Sequence, residues 1–176
     1  DDRHPLIKDF VPLANMEEIE WTVNRATKSG ARNFALLLGQ HTMMAGENGV
    51  PISDTSLGTI GFLKRHFNLP VGFIDHTSLR WMPSAAVAAG ADIITKHLAL
   101  SRSNKGPDWQ ICLEPNEMQE SITNTKLIKI STLSKAKLIA PGEDKDRKVM
   151  RRSVISARDL NPGHLIERED LVFKRP

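Results

Sequence analysis

Four times between Leu6 and Ser134 the chain repeats one grammar, a short run of apolar or β-branched residues followed by a longer amphipathic stretch. That alternation most constrains the fold, because a strand followed by a helix and then another strand builds parallel βα units rather than hairpins. The second run, Phe34 to Leu38, is apolar throughout, as a strand covered on both faces must be. The expected units are a strand over residues 7–13, then a helix opening at Met16 with Asn15 as N-cap and closing at Gly30. Next come a strand at 34–38 and a helix at 56–67, closed by Asn68-Leu69-Pro70. A strand at 71–74 precedes a small-residue helix at 83–89, and a strand at 91–95 precedes a helix from about Pro115. The loop at 39–54 carries three glycines and a proline, a length usual for functional loops.

Beyond Ser134 the pattern stops. Residues 140–148 are polar, charged and rich in breakers, which reads as an interdomain linker. After it come an expected strand at 152–156, a helical turn at 158–160, a tight turn at Asn161-Pro162-Gly163 and a helical turn at 167–171.

Several function classes fall away on composition. The formal net charge is only +3, and the basic excess sits in residues 126–152 without interleaved aromatics, so nucleic acid is not the expected partner. Cys112 is the only cysteine among 176 residues, which rules out an internal disulfide and suits a cytoplasmic protein. It has no evident base partner and is expected to be buried and inert. No apolar run approaches the roughly 20 residues of a bilayer span, so no membrane segment is expected. The start, Asp1-Asp2-Arg3-His4, lacks the order of a signal peptide and reads as an entry into the middle of a domain.

In parallel α/β barrels the chemistry gathers at the carboxyl ends of the strands. Two consecutive strand ends carry a histidine, His76 and His97, and neutral imidazole is a common ligand of divalent metals. A lone histidine at such a place is more often bonded to a loop backbone, but two on adjacent strand ends, with Asp75 and Asp108 nearby, make a metal site a real alternative. Asp75 either orients an imidazole or caps the following helix. Lys96 should point to the opposite side of its strand from His97. Gly106-Pro107-Asp108 is a turn signal. Of His4, His41, His66 and His164, only His41 lies where it could reach the strand ends. Trp21, Trp81 and Trp109 read as packing residues, the last two close enough to the strand-end face to line a pocket.

Five blocks together resemble one family: Leu69-Pro70-Val71-Gly72-Phe73-Ile74-Asp75-His76-Thr77, Ala86-Val87-Ala88-Ala89-Gly90-Ala91, Lys96-His97, Gly106-Pro107-Asp108 and Leu113-Glu114-Pro115. Their order and spacing are similar to those of the sialic acid synthase family, which includes N-acetylneuraminate, legionaminate and pseudaminate synthases and spore coat polysaccharide synthases. The end, from Arg152-Ser153-Val154 to Lys174-Arg175-Pro176, resembles the first part of the antifreeze-like (SAF) domain that follows the barrel in those enzymes. The resemblance implies an α/β chain made of the C-terminal half of a (β/α)8 TIM barrel (1–135), a linker (136–150) and a partial antifreeze-like domain (151–176).

The activity so implied is condensation of phosphoenolpyruvate with an N-acetylated amino sugar of the N-acetylmannosamine type, giving a nine-carbon 2-keto-3-deoxy acid. It implies Mn2+ or Mg2+ held by His76 and His97, and Asp108 beside the reacting groups. Asp75 and Lys96 are taken with the substrate site, as is Arg175, which matches an arginine sent into the barrel of a partner subunit. A domain-exchanged homodimer, or a missing N-terminal barrel half, is the implied partner. Leu13-Ala14-Asn15-Met16 stands where the family has Ser-Thr-Gly-Met, Leu38-Gly39-Gln40-His41 replaces its His-Cys motif, Ile74 replaces serine and Thr95 replaces glutamate. These departures keep a second reading open, a non-catalytic relative that binds sugar or metal.

Overall fold

The computed structural model describes residues 6–8, 11–40, 49–134 and 136–175. His4, His41 and Pro176 lie outside them. The chain divides into two compact units, Asp1–Leu133 and Ser134–Pro176.

The first unit holds four strands, β1 (Leu6–Lys8), β2 (Phe34–Leu38), β3 (Val71–Asp75) and β4 (Ile93–Lys96), all parallel and hydrogen-bonded in the order of the chain. Helices α1 (Met16–Lys28), α2 (Gly58–Phe67) and α3 (Met82–Ala88) connect them, and α4 (Pro115–Ser131) follows β4. The start of α1 is written into the sequence: the Asn15 side chain accepts from Glu18 N, and the Glu18 carboxylate accepts from Asn15 N. Its C-cap is Ser29, followed by Gly30 at φ 89°, a left-handed conformation natural to glycine. Asn68 closes α2 in the same way at φ 53°. The expected β1 was longer than the Leu6–Lys8 observed, since residues 11–13 already turn.

Register decides which side chains share a face. Leu36 and Leu38 of β2 and Val71 and Phe73 of β3 pack in one core with Ile19, Ile60, Leu63, Met82 and Ala86 of the three connecting helices. Leu36, Ile60, Leu63 and Met82 are wholly buried, and each such side chain contributes about 1.5–3 kcal/mol relative to exposure. All three connecting helices therefore lie on one face of the sheet, so the sheet is singly wound. The other face carries Leu37, Gly72 and Ile93 in one row and Ile74 beside Thr95 in the next. Packing along that row is tight: a Cβ on Gly72 would stand 2.3 Å from Leu37 Cδ2 and 2.9 Å from Ile93 Cβ. Thr95 is exposed and Ile74 and Ile93 are half-buried.

Below the sheet Asp92 closes the opposite end of β3, pairing with Lys64 at 2.7 Å and accepting from Val71 N at 3.1 Å. Among the described residues no helix is long and apolar enough to cross a membrane. Trp21 and Trp81 are exposed rather than packed, whereas Trp109 is half-buried with Lys105 Nζ 5.9 Å from its ring centre.

In the second unit α5 (Glu143–Met150) precedes an antiparallel pair, β5 (Ser153–Ser156) and β6 (Leu171–Lys174). The stretch read as a linker contains this helix. Pro141-Gly142 marks its start, Glu143, Asp144 and Asp146 its first turn, and Arg147 and Lys148 its last, a charge order that suits the helix dipole. Residues 158–160 are not helical. Asn161 precedes Pro162, which disfavours helical backbone there, and Arg158 is drawn to a buried carboxylate instead. That carboxylate, Asp170, accepts from Arg158 Nε at 2.8 Å, His164 Nε2 at 2.6 Å and Glu167 N at 3.0 Å. With Val154, Leu165, Ile166 and Phe173 exposed, this polar hub does what a core does elsewhere.

Candidate functional site

His76 follows the last residue of β3 and His97 the last of β4, one residue beyond the register pair Asp75 and Lys96. Both belong to the face of Ile74 and Thr95, and their ring centres lie 5.2 Å apart at an interplanar angle of 42°. Backbone bonds from two loops hold these strand ends: Val50 N donates to His76 O and Leu113 N to His97 O, each at 2.9 Å. Gly49, at φ 69°, forms an isolated bridge with Thr77 and lies against the His76 carbonyl. His76 Nδ1–H donates to Gln40 O at 2.9 Å.

The spacing fits a shared ion. Imidazole nitrogens bind at about 2.1 Å, so each ring centre stands about 3.2 Å from the metal, and two ligands at about 90–110° have ring centres about 4.5–5.3 Å apart. No third His, Cys, Asp or Glu joins a cluster of that kind among the described residues. The pair could thus supply two of an ion's ligands.

Asp75 and Lys96 are on the helix side, opposite the histidines. Their side chains, 0% and 3% exposed, pair with each other at 2.9 Å. Asp75 Oδ1 also accepts from Thr77 N at 2.8 Å, and Lys96 Nζ donates to Thr77 O. Burial lowers the Lys96 pKa from its ordinary value, against the opposing pull of Asp75. The strand alternation foreseen for Lys96 is observed, and neither of the two groups shares a face with the imidazoles.

Asp108 lies exposed in a left-handed turn at φ 53°, its carbonyl accepting from Ile111 N and from the Cys112 thiol. Cys112 is buried, and burial raises its thiol pKa, so it is poorly suited to act as a nucleophile. Arg175 is exposed in the second unit. The loop carrying Asp108 is fastened by Arg102, which forks onto both oxygens of Glu117 and donates to Cys112 O at 3.1 Å. The bond from Arg102 holds the Glu117 carboxyl well down, to about 2.

At the carboxyl end of β2 a cavity of about 480 Å³ opens, walled by Leu13, Asn15, Leu38, Gln40, Ser56 and Leu63 among others. Gln40 belongs to both features, as cavity wall and as acceptor for His76. Neither Gln40 nor Val50 and Leu113 was foreseen, because each acts through its backbone and a backbone atom leaves no mark on residue type.

A singly wound parallel sheet with its polar groups gathered beyond the strand ends defines the class: α/β proteins that work at the carboxyl edge of the sheet. Within that class the chain belongs to the NeuB family, whose model matches residues 11–137. It is 32% identical over 164 residues to the N,N'-diacetyllegionaminic acid synthase of Campylobacter jejuni, covering 93% of this chain and 48% of that protein. An uncharacterized protein of Methanocaldococcus jannaschii is likewise 32% identical, with 93% and 47% covered. Among solved structures, the N-acetylneuraminic acid synthetase of Leptospira borgpetersenii in complex with citrate superposes with a TM-score of 0.69 at 28% identity, over 83% of this chain and 50% of that one. The chain therefore spans about half the length of the relatives it matches.

Proposed function

We propose that this chain forms the C-terminal half of a (β/α)8 barrel and the start of an antifreeze-like domain in a cytoplasmic synthase of sialic-acid-type sugars. A parallel sheet normally has both faces covered, whereas here the face of Leu37, Gly72, Ile74 and Thr95 has none of the connecting helices on it. Closure with four further strands would turn that face into a barrel interior. The reaction is condensation of phosphoenolpyruvate with an N-acetylated amino sugar in its open-chain form. A bond forms between C3 of phosphoenolpyruvate and the aldehyde carbon, water adds at C2, and phosphate leaves, giving a 2-keto-3-deoxy acid.

The histidine pair carries this reading. His76 and His97 would hold Mn2+ or Mg2+, and a cation there supplies Lewis-acid polarisation of the aldehyde. Gln40 accepts from His76 Nδ1–H, and the cavity that Gln40 also lines has room for a small anionic substrate. Asp108, on its fastened loop, is placed in this proposal at the attacking water, and Arg175 at sugar oxygens in the barrel of a partner protomer, which requires a domain-exchanged homodimer.

Phosphate release from phosphoenolpyruvate, tested with N-acetylmannosamine and related sugars in a polypeptide carrying both barrel halves, should require Mn2+ or Mg2+ and vanish in His76→Ala and His97→Ala. One observation favours a second reading, a binding protein without turnover: Leu13, at φ 66° and 87% exposed, gives the cavity wall a side chain with no hydroxyl. Metal binding with no phosphate release for any sugar would select it.

A further inference from the structure

We propose that Asp75 and Lys96 are positioning residues for the histidine pair: their ion pair, closed through both backbone polar atoms of Thr77, holds the ends of β3 and β4 where the two imidazoles meet. This rests on the reading of His76 and His97 as one cation site. The two residues are register partners, Nζ lies 2.9 Å from Oδ2, and neither side chain is accessible to a substrate. Asp75 Oδ1 takes the N–H of Thr77 and Lys96 Nζ gives to its C=O, so the link crosses the strands and spans His76 from the residue before it to the residue after it. His97 follows Lys96 directly. The Thr77 hydroxyl in turn accepts from Leu79 N at 3.1 Å, which continues the restraint into the approach to α3.

Stability alone does not call for charges here. A buried ion pair is often matched or bettered by apolar side chains of similar volume, and Pro83, Ile94 and Met118 lie beside Lys96 together with the polar Ser121 and Thr125. Two apolar side chains would fill the space yet leave the N–H and C=O of Thr77 unheld. Direction is what the charged pair adds: it fixes the peptide on which the His76 ring is mounted.

The test replaces the pair as a unit, with Asp75→Leu/Lys96→Met in the full chain. Its readouts are the thermal melt, titration with Co2+ alone followed by the d–d absorption, and the imidazole 15N signals of His76 and His97. The double variant should melt cooperatively near the parent, bind Co2+ about 10–100-fold more weakly with an altered spectrum, and lose the single His76 tautomer. A folded double variant with the parent's affinity, spectrum and tautomer overturns the proposal and leaves the cation site standing. If the parent itself shows no Co2+ binding that His76→Ala removes, the cation reading fails; an unchanged His76 tautomer in the double variant then overturns the positioning role and an altered one upholds it. Should the double variant not fold, Asp75→Asn, which keeps an acceptor for Thr77 N–H while removing the charge, is judged by the same readouts.

Discussion

Replacing Gly49 by alanine should loosen the histidine pair without altering either imidazole. Gly49 sits at φ 69°, where a residue with a Cβ is destabilised by about 1 kcal/mol. The added Cβ would also stand 2.3 Å from His76 O and 2.4 Å from Ile111 Cγ2. The first neighbour is backbone, held by its bond from Val50 N, so it cannot swing aside as a side-chain end would. Overpacking against fixed atoms typically costs about 1–3 kcal/mol, which brings the expected destabilisation to about 2–4 kcal/mol. Chain movement that relieves the contact gives up the Val50 bond and shifts the peptide carrying His76, so Co2+ affinity should fall together with stability. Urea unfolding and Co2+ titration measure the two effects. Gly106→Ala is the control, since nothing lies within 4 Å of the Cβ it would add and its φ is not positive; it should change stability by less than about 0.5 kcal/mol. A Gly49→Ala protein indistinguishable from the Gly106→Ala protein in both assays would refute the packing argument.

Gly72→Ala should cost about 1–3 kcal/mol in urea unfolding, because its Cβ would press on Leu37 Cδ2, Ile93 Cβ and Ile93 O. Glu117 has a folded pKa of about 2 against an ordinary 4.5, so its bond to Arg102 stabilises the loop fully above about pH 4.5 and is lost as the pH falls toward 2. Arg102→Met should weaken that acid dependence in the pH profile of stability, since the Glu114 N–H and Arg80 still favour the carboxylate, and cost about 1–2 kcal/mol at neutral pH. Asp170, held below the usual carboxylate range by Glu167 N–H, His164 and Arg158, follows the same sign. Asp170→Asn should raise amide exchange at Glu167 roughly tenfold, read by mass spectrometry, while the first unit is unaffected.

Much of the first unit was legible because its local and tertiary signals agree. Phe34 to Leu38 is apolar on both sides, the Asn15–Glu18 box marks the start of α1, and Asn68 and Gly30 end their helices in the left-handed conformation. The second unit was harder to read, because it buries few apolar side chains and periodicity had little to report. There Pro141-Gly142 was read as part of a breaker-rich linker and precedes a helix whose charges follow the dipole, and β6 is held by backbone pairing to β5 and by the Asp170 hub at its start.

At the site, strand alternation carried the inference further than residue type did. Consecutive residues point to opposite faces, so Asp75-His76 and Lys96-His97 divide the same way: carboxylate and ammonium toward the helices, imidazoles toward the other face. Lys96 was expected on the far side of its strand from His97, and Asp75 follows the same alternation; the family resemblance set both with the substrate site, and their side chains lie on the helix side. Alternation also explains how one pair of strands can carry two unlike polar pairs without conflict. Each lies across the same two strand ends on its own face, the ion pair toward the helices and the imidazoles away from them. The fold then needs only that β3 and β4 remain in register, because a slip of one residue would set Asp75 opposite a neighbour of Lys96 and break both pairs at once.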